Sequence, residues 1–95
     1  MTYELEIKAE ANFEIIQSYL YYESKILGLG DKFENQLEEY FNRITKFPFH
    51  YEVKRKPYRE AFIKKFPFVI IYEVIDNKVV VYSVFNTNRN PLKKP

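Results

Sequence analysis

Residues 68–75 (FVIIYEVI) and 78–85 (KVVVYSVF) are two runs of β-branched and aromatic residues separated only by Asp76-Asn77. Side chains of this kind fit a pleated surface, and a two-residue polar link between such runs marks a tight hairpin. The hairpin constrains everything else. Its first run is apolar at nearly every position, as in a central strand, so the chain must supply neighbouring strands and a covering layer.

The rest of the second half reads as shorter strands. Tyr51 and Val53 alternate with Glu52 and Lys54, Pro57 interrupts, and Tyr58 to Phe66 alternates loosely before Pro67. Residues 2–8 also alternate, with Tyr3, Leu5 and Ile7 opposite Glu4, Glu6 and Lys8, which predicts a half-buried strand. From Ala9 the period changes. Phe13, Ile16 and Leu20, joined by Tyr19, Tyr22 and Ile26, have the spacing of a helix whose apolar stripe faces a core and which ends near Gly28. Gly28-Leu29-Gly30 supplies the turn, and Asp31 with Glu34 three residues on has capping-box spacing. Phe33, Leu37, Tyr40 or Phe41, and Ile44 form the stripe of a second helix, ended by Pro48.

The predicted fold class is α+β. An N-terminal strand leads into an antiparallel helical hairpin, followed by a curved antiparallel sheet meander and a frayed tail from Pro91 to Pro95. Ninety-five residues are expected to form one domain, 1–95. Two helices cannot cover both faces of such a sheet, so one face is expected to stay largely open.

Composition narrows the function classes. Nine Tyr and nine Phe among 95 residues rule out intrinsic disorder. The absence of Cys excludes a disulfide framework and a thiolate metal site, so no metal or other cofactor is expected. The N-terminus lacks the apolar segment of a signal peptide, and Phe68-Val69-Ile70-Ile71, extended by Tyr72, is the longest apolar stretch. A cytoplasmic protein without a membrane partner is the expectation. Net charge is +2, but residues 1–47 carry −4 and residues 48–95 carry +6. The second half is therefore expected to present a basic face to a polyanion or an acidic partner.

Several residues are candidates for chemistry. His50 is the one histidine. Glu52, Glu60 and Glu73 qualify as bases only where a cation positions them. Lys54-Arg55-Lys56 is a basic run that Pro57 bends. Phe13, Phe33, Phe41, Phe62, Phe66, Tyr72 and Phe85 are expected in the core. The remaining aromatics exceed what a small domain buries, and several of them are expected to line an apolar partner groove.

In its ordered motifs the chain resembles the RelE/ParE family of toxins from bacterial type II toxin–antitoxin systems, most closely the ParE branch. The resemblance rests on Tyr21-Tyr22-Glu23, Gly28-Leu29-Gly30-Asp31-Lys32-Phe33, Arg59 and Lys65-Phe66-Pro67-Phe68-Val69-Ile70-Ile71-Tyr72. It continues through Val79 to Phe85 into Asn86-Thr87-Asn88-Arg89-Asn90-Pro91. Many relatives carry His-x-Arg-Arg after the last strand. Here Asn86 takes the histidine position, Asn88 precedes the retained Arg89, and neither His nor Tyr follows Asn90.

The resemblance implies a cytoplasmic, growth-inhibiting toxin that poisons DNA gyrase and is neutralised in a hetero-oligomer by a cognate antitoxin. The alternatives it leaves are a ribosome-dependent, metal-independent mRNA endoribonuclease, with Arg59 and Arg89 at its site, or a decayed member that only binds antitoxin. Arg59 and Arg89 are placed by it on the concave side of the sheet. Contacts to the target or to phosphate are expected from Lys54, Arg55, Lys56, Arg59, Arg89 and Lys93. Contacts to antitoxin are expected from Tyr21, Tyr22, Phe49, Tyr51 and Tyr58.

Overall fold

The computed structural model describes residues 2–89 and residue 94. In chain order the elements are β1 (Glu4–Ile7), α1 (Ala9–Lys25), α2 (Leu29–Lys46), β2 (Val53–Arg55), β3 (Tyr58–Phe62), β4 (Phe68–Ile75) and β5 (Lys78–Asn86). The strands form one sheet in the order β1-β5-β4-β3-β2. Strands β2 to β5 are the antiparallel meander that the sequence implies. β1 differs, lying parallel to β5 with Leu5 opposite Val79, so the sheet is mixed. Backbone bonds from Tyr3 to Thr45, Glu4 to Asn77 and Lys8 to Val81 pin both ends of this short edge strand.

Asp76 takes φ 54° in the β4–β5 turn, a left-handed conformation that Asp tolerates. The ladder runs from Ile75 opposite Lys78 to Phe68 opposite Asn86, with one irregularity. Ile71 pairs with Ser83 and Tyr72 with Val81, leaving Tyr82 as an extra residue. This bulge shifts the pleat by one. Val81 and Val84, three apart, therefore both face the helices, while Phe85 joins Val69 and Ile71 on the far face.

Helix α2 behaves as its spacing predicts. Phe33, Leu37, Tyr40, Phe41 and Ile44 are buried against Ile70, Tyr72, Val79 and Val81. Helix α1 does not. Its inward residues are Ala11, Ile15 and Tyr22, whereas Phe13, Ile16 and Leu20 are 59%, 50% and 59% exposed. At 100° per residue, Ala11, Ile15, Ser18 and Tyr22 fall within an arc of about 60°, opposite Phe13, Ile16 and Leu20, so Tyr22, expected on their stripe, belongs to the inward face.

Two carboxylates on α1 explain the rotation. Glu14 Oε1 accepts hydrogen bonds from Ser83 Oγ and Val84 N, both at 2.9 Å. At the other end, Glu23 accepts from the backbone N–H of Gly28 at 2.8 Å and of Gly30 at 2.9 Å. Glu23 thus satisfies the start of α2, and the capping role expected of Asp31 is corrected: Asp31 accepts from the Tyr19 hydroxyl at 2.8 Å. A Cβ at Gly30 would lie 2.8 Å from the Tyr19 carbonyl oxygen, which makes glycine necessary there.

The far sheet face also departs from expectation. Its centre is closed, since Val69, Ile71 and Phe85 are buried with Tyr58 packed against them. Buried Glu60 lies on this side and pairs with Lys94 Nζ at 2.9 Å. Phe62, placed in the core by the sequence reading, is 50% exposed.

Two stability measurements follow. Gly30→Ala is expected to lower the unfolding free energy by about 1–3 kcal/mol in denaturant titration, because a backbone oxygen blocks the methyl group. Burial raises the Glu14 pKa against the opposing bonds from Val84 and Ser83. The native state therefore holds this proton more tightly than the unfolded chain does. Glu14's contribution is full below the ordinary glutamate pKa and falls as pH rises through its raised value. Subtracting the Glu14→Gln stability curve from that of the parent chain should isolate this negative slope; a flat difference would contradict it.

Candidate functional site

The basic run projects from one edge of the sheet. Lys54 and Arg55 end β2, Lys56 follows in the turn, and all three are exposed. Lys54 Nζ pairs with Glu52 at 3.0 Å. With Glu60, Phe62 and Lys94, Lys54 and Arg55 line an open hollow of about 390 Å³. The opposite edge, β1, carries Glu4 and Glu6. There Glu6 pairs with Lys8 at 2.9 Å and with Lys78 at 3.6 Å, so the β1 edge is balanced while the β2 edge is basic. Lys93, like the 91–95 tail apart from Lys94, lies outside the described residues.

The two arginines do not form the shared patch expected of them. Arg59 lies opposite Tyr72, a residue of the helix-side core. Its Nη1 donates to the Tyr51 carbonyl at 2.7 Å, and its guanidinium sits 5.0 Å from the Phe49 ring centroid. The Tyr72 hydroxyl donates to the Pro48 carbonyl at 2.6 Å. Together these contacts hold the segment joining α2 to β2. Arg89 is elsewhere, in a small cleft with Phe13, Glu14, Gln17 and Asn86 at the junction of α1 and β5. Tyr72 and Phe68, which mark the two positions along β4, are about 13 Å apart in an extended strand.

Each acid or base candidate has a partner or a place of its own. His50 is exposed in the α2–β2 segment, edge-on to Tyr51. Glu52 pairs with Lys54, and Glu60 pairs with Lys94. Glu73 accepts from the Tyr82 hydroxyl at 2.8 Å, and this bond, aided by burial, pushes the Tyr82 phenol up to about 12. Tyr82 meets Tyr58 edge-on, and the two rings line a cavity of about 260 Å³ with Lys8, Glu10 and Ile71.

The five aromatics expected to meet a partner are scattered. Tyr21 is exposed on the outside of α1. Tyr22 packs instead into the core, with its ring centroid 5.4 Å from Phe33 and 5.0 Å from Phe66. Phe49 and Tyr51 belong to the α2–β2 segment, and Tyr58 belongs to the far sheet face. No single groove contains all five.

The exposed apolar surface that sequence reasoning missed is Phe13, Ile16 and Leu20, with Ile26 and Leu27 just beyond the helix. A second apolar set at helical spacing, Ala11, Ile15 and Tyr22, was the signal that one of the two faces had to remain outside.

No helix of the described residues is long and apolar enough to cross a membrane. No curated protein matches the sequence. Among solved structures, a chain of the chromosomal ParDE TA system from P. aeruginosa superposes with a TM-score of 0.76 at 12% identity, covering 90% of this chain and 96% of that one. At that identity the likeness speaks to the fold. The sequence itself matches the profile of the ParE toxin of type II toxin–antitoxin system, parDE, over residues 3–91. The chain therefore belongs to the ParE toxin family of type II toxin–antitoxin systems.

Proposed function

We propose that this ParE-family toxin arrests growth by binding and poisoning DNA gyrase, with no catalytic step of its own, until a cognate antitoxin covers it. The observation that carries the reading is the commitment of its acid–base groups. Metal-free RNA cleavage through a 2′-hydroxyl needs a base, an acid and cations at one phosphate. Here Glu52 and Glu60 are ion-paired, and Glu73 holds a phenol whose pKa is pushed up to about 12, a poor proton donor near neutrality. His50 belongs to a different segment from the far-face tyrosines.

Recognition then falls to exposed cations. Arg89 stands at the end of β5, and Lys54, Arg55 and Lys56 stand at the β2 edge. An arginine fork suits a carboxylate or a phosphate, and the lysines add charge. Arg59 supports the site by holding the α2–β2 segment.

Induction in cells, followed in parallel by primer extension and plasmid supercoiling, tests the reading. Loss of supercoiling with intact mRNA is expected. Codon-phased cuts in translated mRNA would overturn the proposal in favour of ribosome-dependent cleavage, and growth without either effect would indicate a chain that only binds antitoxin. The two arginines should separate. Arg89→Ala is expected to reduce toxicity by about tenfold or more with an unchanged unfolding midpoint. Arg59→Ala is expected to lose about 1–2 kcal/mol of stability, since it removes a charged donor from the Tyr51 carbonyl.

A further inference from the structure

The far face of the sheet carries a corner of two tyrosine rings. Tyr58 and Tyr82 meet at 83° with their centroids 5.4 Å apart. With Lys8, Glu10 and buried Ile71 they line the cavity of about 260 Å³. Carboxylates surround it. Glu73 accepts from the Tyr82 hydroxyl. Glu6 and Glu73 both lie opposite Val80, so they share this face. Glu10 forms no ion pair among the described residues. The nearby cations are directed elsewhere. Lys8 and Lys78 both pair with Glu6, at 2.9 and 3.6 Å, and Arg55, opposite Tyr58 on β2, lines the neighbouring hollow. Glu6, Glu10 and Glu73 therefore outweigh Lys8 and Lys78 by one charge.

The chain itself shows what such an arrangement holds. Tyr58, Glu60 and Phe62 alternate along β3 and share the far face. Glu60 pairs with Lys94 Nζ at 2.9 Å, and that ammonium lies 5.9 Å from the Phe62 ring centroid. A carboxylate beside a ring is thus already a cation site on this face, filled by the chain's own lysine. The tyrosine corner repeats the pattern. Among the described residues no cation lies over the Tyr58 or Tyr82 ring.

We propose that this corner receives the guanidinium of an arginine side chain from a partner protein, stacked on a tyrosine ring and bonded to Glu10. Aromatic faces attract cations, arginine most often, and its planar fork suits a ring and a carboxylate at once. Size and charge exclude other occupants. The cavity is smaller than the roughly 300–1,000 Å³ of small-molecule sites, which leaves room for one side-chain head group. An anion would meet the three carboxylates, with Lys8 already held by Glu6.

The test reads binding without gyrase, antitoxin or growth, so it stands apart from the proposed toxicity. The full chain, isotope-labelled for NMR, is titrated with N-acetyl-arginine amide and with N-acetyl-citrulline amide, which keeps the shape without the charge. Saturable shifts of the Tyr58, Ile71 and Tyr82 amide signals are expected with the arginine probe alone. Tyr82→Leu and Tyr58→Leu should each weaken binding by about three- to tenfold, whereas Tyr82→Phe, which keeps the ring, should retain it. Glu10→Gln should weaken it by about threefold and reduce its salt dependence. The signals of the helix-side core report that each variant is folded. Equal shifts from the citrulline probe, no shifts from either, or parental affinity in both leucine variants would overturn the cation site. Putrescine supplies the remaining outcome: tighter binding than the arginine probe would assign the corner to a free amine and overturn the arginine assignment.

Discussion

Strand β4 is buried on both faces, although the apolar residues of both helices pack on one of them. Phe68, Ile70 and Tyr72 face the helices, Val69 and Ile71 face away, and none of the five is more than 3% exposed. A strand so apolar needs cover twice over, and the rest of the structure supplies it. Helix α2 contributes a full apolar stripe to one side. On the other side the bulge at Tyr82 turns Phe85 toward Val69 and Ile71 and still leaves Val81 and Val84 facing the helices. One inserted residue thus lets β5 serve two cores.

Helix α1 is held by different means. Its inner face is small and partly polar, and its rotation is set by Glu14 on β5 and Glu23 on the start of α2. Hydrogen bonds that satisfy otherwise orphaned backbone donors can decide which side of a helix faces in, even against the larger hydrophobes. Phe13, Ile16 and Leu20 remain on the surface, with Phe13 in the cleft that also holds Arg89.

Much of the fold was legible in the sequence because its signals were local. The Asp76-Asn77 link, the α2 stripe and the change of period at Ala9 each appear as the spacing implies. Three features were not legible. The parallel pairing of β1 with β5 and the orientation of α1 depend on contacts between distant parts of the chain, and the extra residue at Tyr82 on how β5 is packed on both faces rather than on its own residue pattern. The α1 stripe shows the limit most clearly, because periodicity gives the apolar faces of a helix but not which of them finds the core. The candidate site was less legible than the fold. Arg59 and Arg89 share a residue type, but one is spent on the Tyr51 carbonyl and the other stands beside α1. Tyr22 matched the family pattern and is a core residue.

The charge division follows the same physical logic. Acidic residues of the first half are partly consumed in holding helices in place, whereas the basic residues at the β2 edge stay exposed. What remains outside is a cationic, aromatic surface suited to binding. The most direct measurement is a DNA supercoiling reaction with purified gyrase, to which the purified chain is added without ribosomes or mRNA. Dose-dependent loss of supercoiling, reversed by antitoxin, is the predicted result. Full supercoiling activity in the presence of excess folded toxin would contradict it.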